Sequence, residues 1–101
     1  TCAVICRTPD GARRLAPLLA RGVDVHLALG GDFVFGPGIN VTSVDEVKGL
    51  EFDYVILPDA SAALYPETPE ARRALYVAVT RTVHQCVLAC VGTPTALSAS
   101  L

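Results

Sequence analysis

Apolar and polar positions fall into blocks along the chain, and each block has the period of one kind of element. "CAVICR", residues 2–7, is a short apolar run with the length of a buried strand. Thr8 follows as a helix cap, and Pro9 suits a helix's first position. Ala12, Leu15, Ala16 and Leu19 then recur at helical spacing, which predicts an amphipathic helix over 10–21 with Arg13, Arg14 and Arg21 outside its stripe. Gly22 takes the position just past the helix end, and "VDVHLAL", residues 23–29, reads as a second strand. Strand, helix, strand is the unit of a parallel sheet.

The pattern continues. "GGDFVFGPGIN", residues 30–40, is rich in turn residues and predicts a loop or small hairpin around Phe33 and Phe35. Residues 39–43 are a strand candidate, 44–51 leave room for a turn or two of helix before Gly49, and "FDYVILPDA", 52–60, reads as the central strand. After a loop over 61–69, residues 70–83 have a helical stripe of Ala71, Leu75, Ala78, Val79 and Thr82. "HQCVLACVG", 84–92, is the last strand, and 93–101 a short capped helix or frayed end. Alternating strands and helices predict an α/β domain: a mostly parallel sheet covered on both faces, with ligands at the carboxyl ends of its strands.

Composition narrows the class. The 101 residues suit one domain over 1–101, 51% are hydrophobic and 18% charged, and the net charge of −2 steers the whole chain toward neither nucleic acid nor membrane. No membrane span or secretory leader is legible, which leads us to expect a cytoplasmic protein. Methionine is absent and the chain opens inside a strand, so a fragment of a longer protein is expected. Cys2 and Cys6, like Cys86 and Cys90, lie in apolar strand-like runs, where cysteine acts as a small hydrophobe, and no metal site is read there. His26 and His84 have no partner legible in the sequence.

Arg81 is the residue with two readings. It falls at the edge of the 70–83 stripe, with Arg73, Tyr76 and Thr80 on the opposite face. One reading is complementation of the helix C-terminus. The other is a guanidinium aimed across a domain boundary at an anion.

Two longer strings bear on that choice. "ARRALYVAVTRT", residues 71–82, resembles motif VI of superfamily 1 helicases of the UvrD/Rep type, and "VTSVDEVKGLEFDYVILPD", residues 41–59, resembles their motif V. "AVICRT" with its following helix, residues 3–21, is similar to the segment upstream of motif V, and the approach over 33–43 resembles the HelD-like branch. The resemblance spans nearly the whole chain in the right order. It implies a RecA-like three-layer sandwich, a lobe of P-loop NTPase type, of which this chain is the C-terminal (2A) member. In that family ATP lies between two such lobes and single-stranded nucleic acid crosses both. Carried over by position, Arg81 matches the arginine finger that reaches the γ-phosphate. Glu51 matches the acceptor for the ATP ribose, and Gly49 makes the turn before it. Thr42 and Lys48 match positions near the nucleic-acid backbone and the lobe interface.

The chain contains no GxxxxGK[ST] string, hence no P-loop lysine or magnesium-ligating hydroxyl, and no Walker B acid pair. The resemblance therefore implies a motor lobe that completes an ATP and Mg2+ site in a full-length, ATP-hydrolysing DNA helicase or translocase, with the fragment alone inactive. Its implied partners are the N-terminal RecA-like lobe of the same chain and single-stranded or duplex DNA. Two alternatives stand beside it: a lobe of a HelD-type remodelling factor acting on RNA polymerase, or a non-catalytic interaction module. Two departures are visible. Asp45 stands where the family has histidine, and a carboxylate there repels phosphate. Thr82 stands where the family has alanine.

Overall fold

The computed structural model describes residues 1–34, 36 and 38–100. Strands β1 (Cys2–Cys6), β2 (Val25–Leu27), β3 (Ile39–Ser43), β4 (Phe52–Leu57) and β5 (Thr82–Leu88) form one sheet in the order β2-β3-β1-β4-β5. All four pairings are parallel. Helices α1 (Pro9–Leu19) and α2 (Pro69–Val79) connect strands, and 3₁₀ turns lie at Val44–Glu46 and Ala96–Ser100.

Both helices start by the same local chemistry. The Thr8 hydroxyl oxygen accepts the Gly11 amide at 3.1 Å, and that of Thr68 accepts the Ala71 amide at 3.1 Å. A proline follows each cap, where its missing amide is no loss.

The period-two alternation of β1 builds the layers. Ala3 and Ile5 point to one face and pack with Val55, Leu57, Ala71, Leu75 and Ala78 under α2. Val4 and Cys6 point to the other and pack with Val41, Ala12 and Ala16 under α1. The result is the expected α/β sandwich of three layers with a parallel sheet in the middle.

Several boundaries differ from the sequence reading, each for a physical reason. β1 is central, and β4 lies between it and the edge strand β5. The Val23 amide is still tied to Leu19 of α1 at 3.0 Å, so β2 starts only at Val25, opposite Ile39. The end of α1 needs no left-handed glycine: its C-cap Ala20 is right-handed and Gly22 is not among the positive-φ glycines. Helix α2 stops at Val79, and Thr82 is the first residue of β5 rather than part of a helical stripe. The β-branched residues Thr80, Thr82 and Val83 favour that switch. β5 ends at Leu88, and beyond it the Ala89 amide still donates to the Leu57 carbonyl at 2.9 Å and the Ala60 amide to the Ala89 carbonyl at 2.7 Å. Phe33 is not in a strand but packs at the core edge, its ring 5.9 Å from that of Phe52. Phe35 lies outside the described residues.

The sheet is covered unevenly. α1 lies over β1, β2 and β3, whereas Tyr54 on β4 and Val87 on β5 remain 50% and 46% exposed.

Candidate functional site

Strands β3 and β4 both pair with β1, and both run the same way. The chain must therefore travel back along the sheet between them, from the carboxyl edge at Ser43 to the amino edge at Phe52. Residues 44–51 make that journey across the α2 face. Val44 and Val47 pin the segment by burying their side chains in the core with Ile5 and Phe52. Between these anchors and β4 lie three exposed positions, Lys48, Gly49 and Glu51. Gly49 has φ +78°, and nothing lies within 4 Å of where a Cβ would stand. Its requirement is thus conformational: the chain turns through the left-handed region there.

Glu51 immediately precedes β4, and Arg81 immediately precedes β5. Phe52 is in register with Thr82, and the Phe52 amide donates to the Arg81 carbonyl at 2.8 Å. The carboxylate and the guanidinium thus belong to residues that head two adjacent strands. Both stand at the amino edge of the sheet, opposite to the carboxyl edge where open α/β sheets ordinarily bind ligands.

The Arg81 side chain folds back over the end of α2. Its Nε donates to the Val77 carbonyl at 3.1 Å, and Nη2 donates to the Thr80 hydroxyl oxygen at 3.1 Å. The Thr80 hydroxyl in turn donates to the Tyr76 carbonyl at 2.7 Å. Carbonyls in the last turn of a helix lack amide partners, and these two side chains supply donors to that turn.

Thr42 lies elsewhere. It is fully buried on β3, and its hydroxyl donates to the Ala28 carbonyl at 2.6 Å. The sequence reading matched it to a position near the nucleic-acid backbone and the lobe interface; in this fold its side chain ties β3 to the end of β2. The polar group is buried because it completes the hydrogen bonding of that strand end.

A groove of about 580 Å³ runs along α2 from Glu70 to Val77 beside the 44–48 stretch, with Arg7, Asp45, Lys48, Arg72 and Arg73 on its walls. Arg7 follows directly on β1, and its guanidinium carbon lies 5.8 Å from the centre of the Tyr65 ring. Tyr65 is buried, which pushes its phenol pKa up to about 12. Periodicity marked neither residue as functional. A charged residue directly after an apolar strand was the available signal for Arg7, whereas its meeting with Tyr65 depends on tertiary structure.

The histidines do have partners. His26 Nε2 lies 2.6 Å from the Asp32 carbonyl oxygen, and His84 Nε2 lies 3.6 Å from an Asp53 carboxylate oxygen. All four cysteines are free thiols. No helix among the described residues is long and apolar enough to cross a membrane.

The model of the UvrD-like helicase C-terminal domain matches residues 38–89. The chain belongs to that family. The match includes β3, the crossing segment, β4, α2 and β5, so Lys48, Gly49, Glu51 and Arg81 all fall inside the UvrD-like region, and Arg7 falls before it. The C-terminal domain of a possible DNA helicase from Lactobacillus plantarum WCFS1 is similar in structure, with a TM-score of 0.85 and 33% sequence identity. The alignment covers 98% of this UvrD-like chain and 61% of that one. Among curated proteins, none matches the chain.

Proposed function

We propose that this UvrD-like lobe is the second half of an ATP-driven motor and that its amino edge closes on a nucleotide held mainly by another lobe. The observation that carries the reading is the pairing of β4 with β5, which sets Glu51 and Arg81 at neighbouring strand heads. The pair fits one flank of a nucleotide. A carboxylate is an acceptor-only group when ionised and suits a ribose hydroxyl. A guanidinium is permanently charged and forked and suits phosphoryl oxygens. ATP and Mg2+ would supply the phosphoryl group and its charge balance. Arg81 would leave the end of α2 to offset charge spreading over the equatorial oxygens, an effect worth about a thousandfold or more in rate. With no P-loop of its own, the chain alone is expected to turn over no ATP.

The groove along α2 suits a different partner. Lys48 and the arginines of the groove suit the phosphates of a nucleic-acid strand, and on this reading the parent is a cytoplasmic DNA helicase or translocase. Asp45 favours a second reading. It lines the same groove, and a carboxylate there weakens phosphate contact. A HelD-type motor that remodels RNA polymerase would tolerate that loss.

ATP turnover by the full-length parent, with and without single-stranded DNA, tests the reading. Strong stimulation by DNA supports the helicase or translocase. Turnover that ignores DNA favours protein remodelling, and turnover by this chain alone would overturn the two-lobe account.

A further inference from the structure

The Arg81 side chain is docked on the helix it follows, although a carboxylate heads the neighbouring strand. Among the described residues Arg81 makes no ion pair, with Glu51 or any other acid. Two neutral oxygens hold it instead. The first contact replaces a helical bond. In a continued helix the Arg81 amide would donate to the Val77 carbonyl. It donates to the Ala78 carbonyl at 3.3 Å, and Arg81 Nε takes the Val77 carbonyl at 3.1 Å. The second contact is with Thr80. A hydroxyl has one proton and two lone pairs. The Thr80 hydroxyl oxygen lies 2.7 Å from the Tyr76 carbonyl oxygen and 3.2 Å from that of Val77. A carbonyl can only accept, so the hydroxyl proton is committed to one of the two. A lone pair is left facing Arg81, whose Nη2 donates to it at 3.1 Å.

We infer that Thr80 is a latch on Arg81: it holds the guanidinium on α2 while the nucleotide site is empty and gives it up when a phosphoryl group competes for the same donors. The inference rests on the motor reading and deepens it by naming what restrains the finger. The docked and extended states differ by one bond at Thr80. Docked, the hydroxyl donates to a carbonyl and accepts from Nη2. With Arg81 extended it still has a carbonyl to donate to, so only the contact with Nη2 is lost. That contact has one charged partner, whereas a guanidinium on a phosphoryl oxygen has two, and the latter is the stronger bond. A ligand shifts such an equilibrium only by its preference for one state, and phosphoryl oxygens meet the guanidinium only in the extended one. Thr80 is exposed and belongs to neither core cluster, so the latch is separate from what folds the lobe.

The experiment measures ATP turnover by the full-length parent without DNA. Thr80→Val keeps the branched shape and removes the acceptor. It is expected to raise kcat about tenfold, the lower end of what a hydrogen bond to a charged group is worth, with the KM for ATP unchanged. Thr80→Ser keeps the hydroxyl and should match the unsubstituted protein. The gain should disappear when Thr80→Val is combined with Arg81→Ala, because the latch acts only through Arg81. A fall in kcat for Thr80→Val, restored in Thr80→Ser, would overturn the latch by showing that the contact aims the guanidinium for catalysis. Unchanged kcat with a lower melting temperature would reduce the contact to a helix end and also defeat it, as would a gain that survives Arg81→Ala. The motor reading fails separately, through normal turnover of Arg81→Ala with Thr80 in place.

Discussion

The Phe52 amide and the Arg81 carbonyl share a hydrogen bond of 2.8 Å. This bond joins the end of the crossing segment to the end of α2. Residues on either side of it, Glu51 and Arg81, come from stretches far apart in sequence, yet they stand at the heads of paired strands. Moving one without the other would break the start of the β4–β5 ladder. A nucleotide placed at this edge would therefore meet the two strand heads at a fixed spacing.

Glu51 is exposed and belongs to neither core cluster. Glu51→Ala in the full-length parent should leave the melting temperature nearly unchanged. If Glu51 accepts a ribose hydroxyl, the KM for ATP should rise about tenfold or more, which is the usual worth of a hydrogen bond to a charged group. Steady-state kinetics against ATP, set beside a thermal melt, checks both halves.

Thr42→Val is expected to behave in the opposite way. The substitution keeps the shape of a fully buried side chain and strands the Ala28 carbonyl that its hydroxyl now serves. A loss of about 1–3 kcal/mol in folding stability is expected. Oligonucleotide affinity of the folded protein should not change. Chemical denaturation and a binding titration on the same sample separate the two effects.

Two buried acids set the alkaline limit of the fold. Burial raises the Cys6 thiol from 9.0 to about 11 and the Tyr65 phenol from 10.0 to about 12. In both cases the folded state holds the proton more tightly than the unfolded chain. Their contribution is therefore complete below about pH 9 and is lost as pH rises toward the folded values. Melting temperature should fall steadily from pH 9 to 11, and Tyr65→Phe should flatten the upper part of that fall. Thiol labelling at neutral pH should reach exposed Cys90 quickly and buried Cys6 only on unfolding.

The fold was legible in the sequence wherever one period ruled a stretch. The run Cys2–Cys6 and the repeat Ala12, Leu15, Ala16, Leu19 each pointed to one element. Thr-Pro at the head of each helix marked the caps. The edges were less legible because tertiary partners decide them: Leu19 keeps Val23 out of β2, and the Arg81 carbonyl is claimed by Phe52 before a helix can extend through it. The strings around Glu51 and Arg81 pointed to those residues, but not to their shared edge, since register belongs to the sheet. The burial of Thr42 was not legible, because a single buried hydroxyl leaves no mark on an alternating pattern. Arg7 was missed for the same kind of reason: its meeting with Tyr65 exists only after folding.

The most direct measurement is the effect of replacing Arg81 in the full-length parent. Arg81 also holds the end of α2 through Val77 and Thr80, so a modest loss of stability, about 0.5–1.5 kcal/mol, accompanies any change there. Arg81→Lys keeps the charge but loses the fork. Both Arg81→Ala and Arg81→Lys should cut kcat for ATP by about a thousandfold while ATP affinity, read by equilibrium titration, changes little. Near-normal kcat in folded Arg81→Ala, with only the melting temperature lowered, would show that Arg81 does no more than close a helix and would contradict the motor account.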